Sequence, residues 1–171
     1  MKRLTLCALL LTTLTLCAQN TQNMQTLVAY FSATGTTRAA AQKLAKQHNA
    51  VLWEIEAAEP YTAADLDWRN EQSRSSLEMK DPDERPTIKQ CTDIRPYSTI
   101  YIGFPIWYAQ APRVIHTFCK NYNWEGKKIY AFATSGGSGI GKTADKLQPS
   151  ASGAAAIDAK LVHSVDDICN W

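Results

Sequence analysis

Apolar and polar positions follow two periods along this chain. Short, mostly apolar runs at residues 26–31, 51–55, 99–104 and 128–133 read as strands, the first of them buried, with a short fifth at 160–162. Between them the apolar spacing becomes helical. Residues 35–47 place Ala39, Ala40, Leu44 and Ala45 on one side. Pro112 suits the first turn of a helix that carries Val114, Ile115 and Phe118. A further helix ends near Leu147, and residues 164–167 read as a capping box for a last one toward Trp171. Strands alternating with helices predict a doubly wound α/β domain: a five-stranded parallel sheet, right-handed crossovers and helices on both faces. Ligands of such sheets sit beyond the carboxyl ends of the strands where strand order reverses. The loops after the first, third and fourth strands are therefore the candidate site. Residues 56–98 are more than one crossover helix needs, and Pro60, Pro82, Pro86 and Pro96 make them partly irregular.

Composition adds a leader to this picture. The chain has 171 residues, 45% of them hydrophobic and 20% charged, which fits one globular domain with its own core. Lys2 and Arg3 precede an uncharged apolar run at residues 4–16, shorter than the roughly 20 residues of a membrane span. Residues 1–18 read as an export signal and 25–171 as the domain, placing the protein in the periplasm or lipid-anchored to a membrane. Two processing routes stand open: lipid attachment at Cys17, or cleavage after Ala18. Initiation at Met24 would instead leave the protein in the cytoplasm. The formal charge of +2 falls near zero without Lys2 and Arg3, leaving no electrostatic footprint for nucleic acid. Membrane contact is then expected only through Cys17. Cys91, Cys119 and Cys169 form neither a disulfide framework nor a metal motif, and Cys119 falls on the apolar face of its helix. His48, His116 and His163 have no metal spacing.

The first loop carries the strongest chemistry. Ser32, Ala33, Thr34, Gly35, Thr36 and Thr37 join a strand to a helix. Four hydroxyls, a glycine and a helix start with unpaired N–H groups form an anion site, where a simple cap would need one hydroxyl. The loop has neither GxGxxG nor a Walker lysine.

Residues 30–37 resemble the FMN-phosphate loop of flavodoxins. Further matches to a flavodoxin-like subfamily common in anaerobic gut bacteria lie at 61–62, 65–68, 73–74, Glu78, 85–86, 103–107 and 134–139. The resemblance implies strand order 2-1-3-4-5, with non-covalent FMN at the switch point. It implies no role for residues 61–78, which read as a helix over the sheet with Arg74 and Glu78 paired at i,i+4.

The other two loops suit flavin walls. Pro105, Ile106, Trp107 and Tyr108 set two aromatics at a strand end, where a flat ring gains stacking and apolar contact. Ser135, Gly136, Gly137, Ser138 and Gly139 allow backbone N–H groups close to a ligand. Residues 136–143 also spell a P-loop, and 154–158 mimic its acidic strand. The stretch after Thr143 falls short of the strands such a domain needs, and the first loop would stand unexplained. Lys142 is expected to be a solvated helix residue.

Three functions remain: a two-electron FMN oxidoreductase that reduces a small acceptor such as a quinone with NAD(P)H, a one-electron carrier, or a flavin-free binding module. Carriers of the family are acidic and have a glycine turn beside the flavin whose peptide flips. This domain is near neutral, and its turn begins Pro105-Ile106. Pro105 fixes its own φ, and Ile106 is β-branched, so the loop is expected to be stiff. Both features point to two-electron chemistry. Electron donor and acceptor are not legible.

Overall fold

A computed structural model describes residues 25–163 and Asp167. Five strands form one parallel sheet in the order β2-β1-β3-β4-β5. They are β1 (Gln25–Tyr30), β2 (Val51–Glu54), β3 (Tyr97–Pro105), β4 (Lys128–Thr134) and β5 (Ile157–Val162). The helices are α1 (Thr36–Gln47), α2 (Arg74–Lys80), α3 (Arg113–Lys120) and α4 (Thr143–Leu147), the last followed by a 3₁₀ turn at Gln148–Ser150. The expected doubly wound sheet and its strand order are both present. The leader, Cys17 and the capping box at 164–167 lie outside the described residues, apart from Asp167.

The period of two in the strands divides the core between the sheet faces. Leu27, Ala29, Ile100, Ile102, Phe104, Ile129 and Ala131 point to one face and pack with Val114, Ile115, Phe118 and Cys119 of α3. Val28, Tyr30, Tyr101 and Phe132 point to the other and pack with Ala40, Ala41, Leu44 and Ala45 of α1. The helix is small where the strands are aromatic, so the two surfaces interlock. Gly103 belongs to this second face and pairs with Phe132 across the sheet. A Cβ at Gly103 would lie 2.1 Å from Phe132 Cζ, so the ring occupies the space a side chain would need.

Several details differ from the sequence expectation. Ala39 is exposed and Ala41 is buried, because the buried stripe of α1 falls one residue later. Pro112 stands at the cap position with ψ 151°, just before α3 rather than in its first turn. β5 begins at Ile157, so part of the presumed acidic strand is simply the start of β5, paired with Ile129 and Tyr130. The helix in the 61–78 region is only the seven-residue α2, capped by Ser73, whose Oγ accepts the Ser76 N–H. Tyr61, through Glu78, Tyr108, through Ser76, and Arg113, through the Glu78 and Met79 carbonyls, tie it to the loops at the carboxyl rim.

Candidate functional site

The carboxyl ends of β1, β3 and β4 open into a cavity of about 590 Å³, within the range of cofactor pockets. Ala33 and Thr34 supply one wall. The chain turns there through Gly35, whose φ of 94° lies in the left-handed region that favours glycine. Helix geometry leaves the N–H groups of Thr36 and Thr37, in the first turn of α1, without intrahelical acceptors. The four hydroxyls divide their work. Ser32 Oγ accepts the N–H groups of Gly35 and Arg38 at 3.1 and 3.2 Å, which closes the loop on itself. Thr37 is buried, with its Oγ1 2.8 Å from Thr134 Oγ1, tying α1 to the end of β4. Thr34 lines the cavity, and both it and Thr36 are exposed. At the loop's outer edge Arg38 pairs with Glu54 at 2.6 Å, and Tyr30 donates to the same carboxylate at 3.0 Å.

Pro105, Ile106, Trp107 and Tyr108 all line the cavity. The Ile106 N–H donates to Thr134 O at 2.8 Å, and Trp107 and Gln110 exchange backbone hydrogen bonds, each 3.0 Å. The residues between them, Tyr108 and Ala109, have φ of 48° and 58°. Two left-handed residues inside a two-residue connection are the mark of a type I′ turn, usually made by Asn-Gly. The left-handed backbone therefore lies two residues beyond Ile106, which keeps its strand-like exit. Trp107 is wedged edge-to-face between Phe31 and Tyr61, with centroids at 5.6 and 5.2 Å. Tyr108 Oη lies 2.6 Å from Ser76 Oγ and 3.2 Å from the Trp68 carbonyl, so its side chain holds the unusual turn in place.

Ser135, Gly136, Gly137 and Ser138 form the third wall; Gly139 lies outside it. Ser135 Oγ accepts the N–H groups of Gly137 and Ser138 at 3.1 and 2.7 Å, so those two donors are turned toward their own loop. A Cβ at Gly136 would meet no chain atom within 4 Å. The chain itself does not demand a glycine there, and the position opens to the cavity it lines.

A fourth wall escaped the sequence reading: Leu66, Trp68 and Ser75. Trp68 is 72% exposed, an unusual exposure for so large an apolar side chain. Its signal was present as a tryptophan in a polar stretch with no helical or strand period to bury it. Behind this wall Tyr61 donates to Glu78 at 2.6 Å, Arg74 pairs with Glu78 at 2.7 Å, and the Arg74 guanidinium sits 4.2 Å from the Tyr61 ring centroid. Burial, then the Glu78 carboxylate, pushes the Tyr61 phenol pKa well above its usual value and keeps it a donor.

The P-loop spelling makes no nucleotide site. Lys142 is exposed and does not line the cavity, and the buried Thr143 hydroxyl donates to the Ile140 carbonyl instead of facing a metal. Asp158 lies near the amino end of β5, opposite the loops. Among the described residues no group of three or more His, Cys, Asp or Glu side chains could hold a metal ion, and no helix is long and apolar enough to cross a membrane. No Lys, Arg, His, Asp or Glu among them lines the cavity.

A doubly wound sheet with an aromatic-walled, hydroxyl-tipped cavity at its switch point defines a flavodoxin-like protein. Residues 25–171 match the flavodoxin family, and the chain belongs to it. No curated protein matches the chain. A candidate flavoprotein from Bacteroides eggerthii is 45% identical over 85% of this chain and 94% of its own, with a TM-score of 0.77. Another from Bacteroides uniformis is 43% identical over 86% and 96%, with a TM-score of 0.78. A flavoprotein in complex with FMN from Lactobacillus acidophilus is similar in fold, with a TM-score of 0.62 at 22% identity over 84% and 95%.

Proposed function

We propose that this chain holds FMN non-covalently and exchanges electrons in pairs with a small acceptor. The cavity carries the reading: apolar and aromatic walls, no formal charge, and a helix start with a glycine turn at one end. An isoalloxazine ring suits Trp107, Tyr108 and Trp68. A phosphate suits the N–H groups of Thr36 and Thr37 and the Thr34 hydroxyl. Bound FMN would supply reversible redox chemistry, while the chain orients it, excludes water and biases its charge.

Electron pairing follows from how the chain leaves β3. Pro105 fixes one φ, the Ile106 N–H is engaged by Thr134, and the Trp107 N–H by Gln110. A flip of the Pro105–Ile106 or Ile106–Trp107 peptide to follow the flavin's protonation would break one of these bonds. The wall is held at the two peptides where the chain leaves β3. Reductive titration of the FMN-loaded protein with dithionite should pass directly from the oxidised to the fully reduced spectrum. A strong transient long-wavelength band would overturn the two-electron reading, and a colourless protein that takes up no added FMN would overturn the cofactor.

We also propose export. Its support is Lys2 and Arg3 ahead of the apolar run at residues 4–16. Mass spectrometry of the native protein should find a chain that starts after Ala18, or a lipid on Cys17; a cytoplasmic chain starting at Met24 would overturn it.

A further inference from the structure

A second cavity of about 610 Å³ lies on the other side of the 107–110 turn. It runs between the end of α2, the start of α3 and the 148–150 turn, and shares no lining residue with the first cavity. Five cationic side chains line it: Lys80, Arg85, Arg113, Lys120 and Lys146. One lining carboxylate, Asp83, answers them, with Asp81 nearby. Lys80 pairs with Glu71 at 3.1 Å on the outside. Among the described residues the other four cations make no ion pair.

The floor of the groove is built and buried. Arg113 is 5% exposed and donates to the Glu78 and Met79 carbonyls at 3.2 and 3.1 Å, satisfying the end of α2 and fixing a positive charge beneath the groove. Arg85 donates through Nη1 to the Pro82 and Glu84 carbonyls at 2.8 and 2.6 Å, while its buried Nε has no partner. His116 is 4% exposed; its Nδ1 lies 2.8 Å from Ser150 Oγ, and its buried Nε2 has no partner. Burial, then Arg113, Arg85 and Lys120, lower the His116 pKa to about 4, so it is neutral at pH 7. Burial and Arg85 likewise lower that of Arg113. A buried guanidinium at Arg113 with three further unpaired cations around it, beside two unpaired buried nitrogens, is costly unless an anion completes them.

We propose that this groove binds the phosphate or diphosphate group of a small-molecule ligand. Arg85 keeps Nε and Nη2, and Arg113 keeps Nη1, as donors that their carbonyl bonds leave free for phosphate oxygens. Lys120 and Lys146 add mobile charge at the rim. A neutral His116 adds a ring nitrogen that donates when Nδ1 accepts from Ser150. Gln110, which lines the groove, is hydrogen-bonded to Trp107, which lines the other cavity. A ligand anchored here by its phosphate lies one turn from the flavin wall. The site does not depend on the flavin reading.

The test is titration of inorganic pyrophosphate into the full chain preloaded with excess FMN, followed by calorimetry and by NMR of the His116 ring. Saturable one-to-one binding is expected, with FMN retained and the His116 pKa raised from about 4. Lys120→Gln with Lys146→Gln, both exposed, should weaken binding at least tenfold, as should Arg85→Gln. Lys89→Gln, outside the groove, should leave it within twofold. Absence of saturable binding, equal weakening by Lys89→Gln, or displacement of FMN would overturn the site. Sedimentation with phosphatidylglycerol vesicles without pyrophosphate binding would overturn it in favour of a lipid surface. If FMN fails to bind while pyrophosphate still saturates, the flavin reading falls and the groove stands.

Discussion

The two cavities flanking the 107–110 turn are nearly equal in size and opposite in chemistry. The first has two aromatic-bearing walls and no formal charge; the second has five cations and no Phe, Tyr or Trp in its lining. Both are suited to phosphate, by different physics. The first offers backbone N–H groups whose dipoles are fixed by the fold, and it takes most of its free energy from the ring the phosphate carries. The second offers charge, which attracts any small oxyanion and is weakened by salt. A near-neutral domain can thus hold a cofactor with dipoles and keep its cations for another ligand.

The largest test of that contrast is Trp107→Ala. It removes the central flavin wall and should weaken FMN by about 2 kcal/mol or more, roughly thirtyfold, as for a buried aromatic anchor. Pyrophosphate affinity should stay within twofold, and equal loss in both titrations would merge the two sites into one. The second test uses His116. Its folded pKa, about 4, lies below the ordinary histidine value of 6.5, so the folded state binds fewer protons than the unfolded state between those values. His116 therefore contributes stability above pH 6.5 that is lost as pH falls toward 4, up to about 3 kcal/mol. Urea unfolding at pH 7 and pH 4 should show that loss, His116→Gln should lack its share, and saturating pyrophosphate should reduce it.

Smaller effects separate the hydroxyls of the first loop. Thr37→Val leaves the Thr134 hydroxyl without its buried partner and should cost about 1–3 kcal/mol of stability. Thr34→Val should leave stability alone and weaken FMN severalfold while sparing riboflavin, which has no phosphate. Identical behaviour of the two variants would mean the loop does not divide its work. The smallest effect is on FMN itself: raising ionic strength from about 0.01 to 0.15 M shortens the screening length from roughly 30 to 8 Å. Pyrophosphate affinity should drop severalfold and FMN affinity less than twofold.

Much of this architecture was legible from local signals. Apolar runs at 26–31, 99–104 and 128–133 are buried strands because both faces of the sheet are covered, and their carboxyl ends mark where a ligand sits. The glycine and hydroxyls at 32–37 announce a helix start, yet only the fold shows that Thr37 faces Thr134 while Thr34 faces the cavity. Trp68 was opaque because contacts forty residues apart place it: the Tyr108 hydroxyl on its carbonyl. The groove was opaque for the same reason. Lys80, Arg113 and Lys146 sit on three separate helices or their ends, and no local period links them. Residues 136–143 show the converse, a strong local spelling that the tertiary structure assigns elsewhere.

Gly103 and Phe132 carry a consequence for how this sequence can change over generations. The ring of one fills the place where the other's side chain would begin. Neither position can drift alone. Any larger residue at 103 must arrive with a smaller one at 132, and a smaller residue at 132 opens a void that a side chain at 103 is placed to fill. Across descendants of this chain the two sites should be inherited as a pair, and a chimera that takes β3 from one parent and β4 from another should fail wherever the parents differ at them.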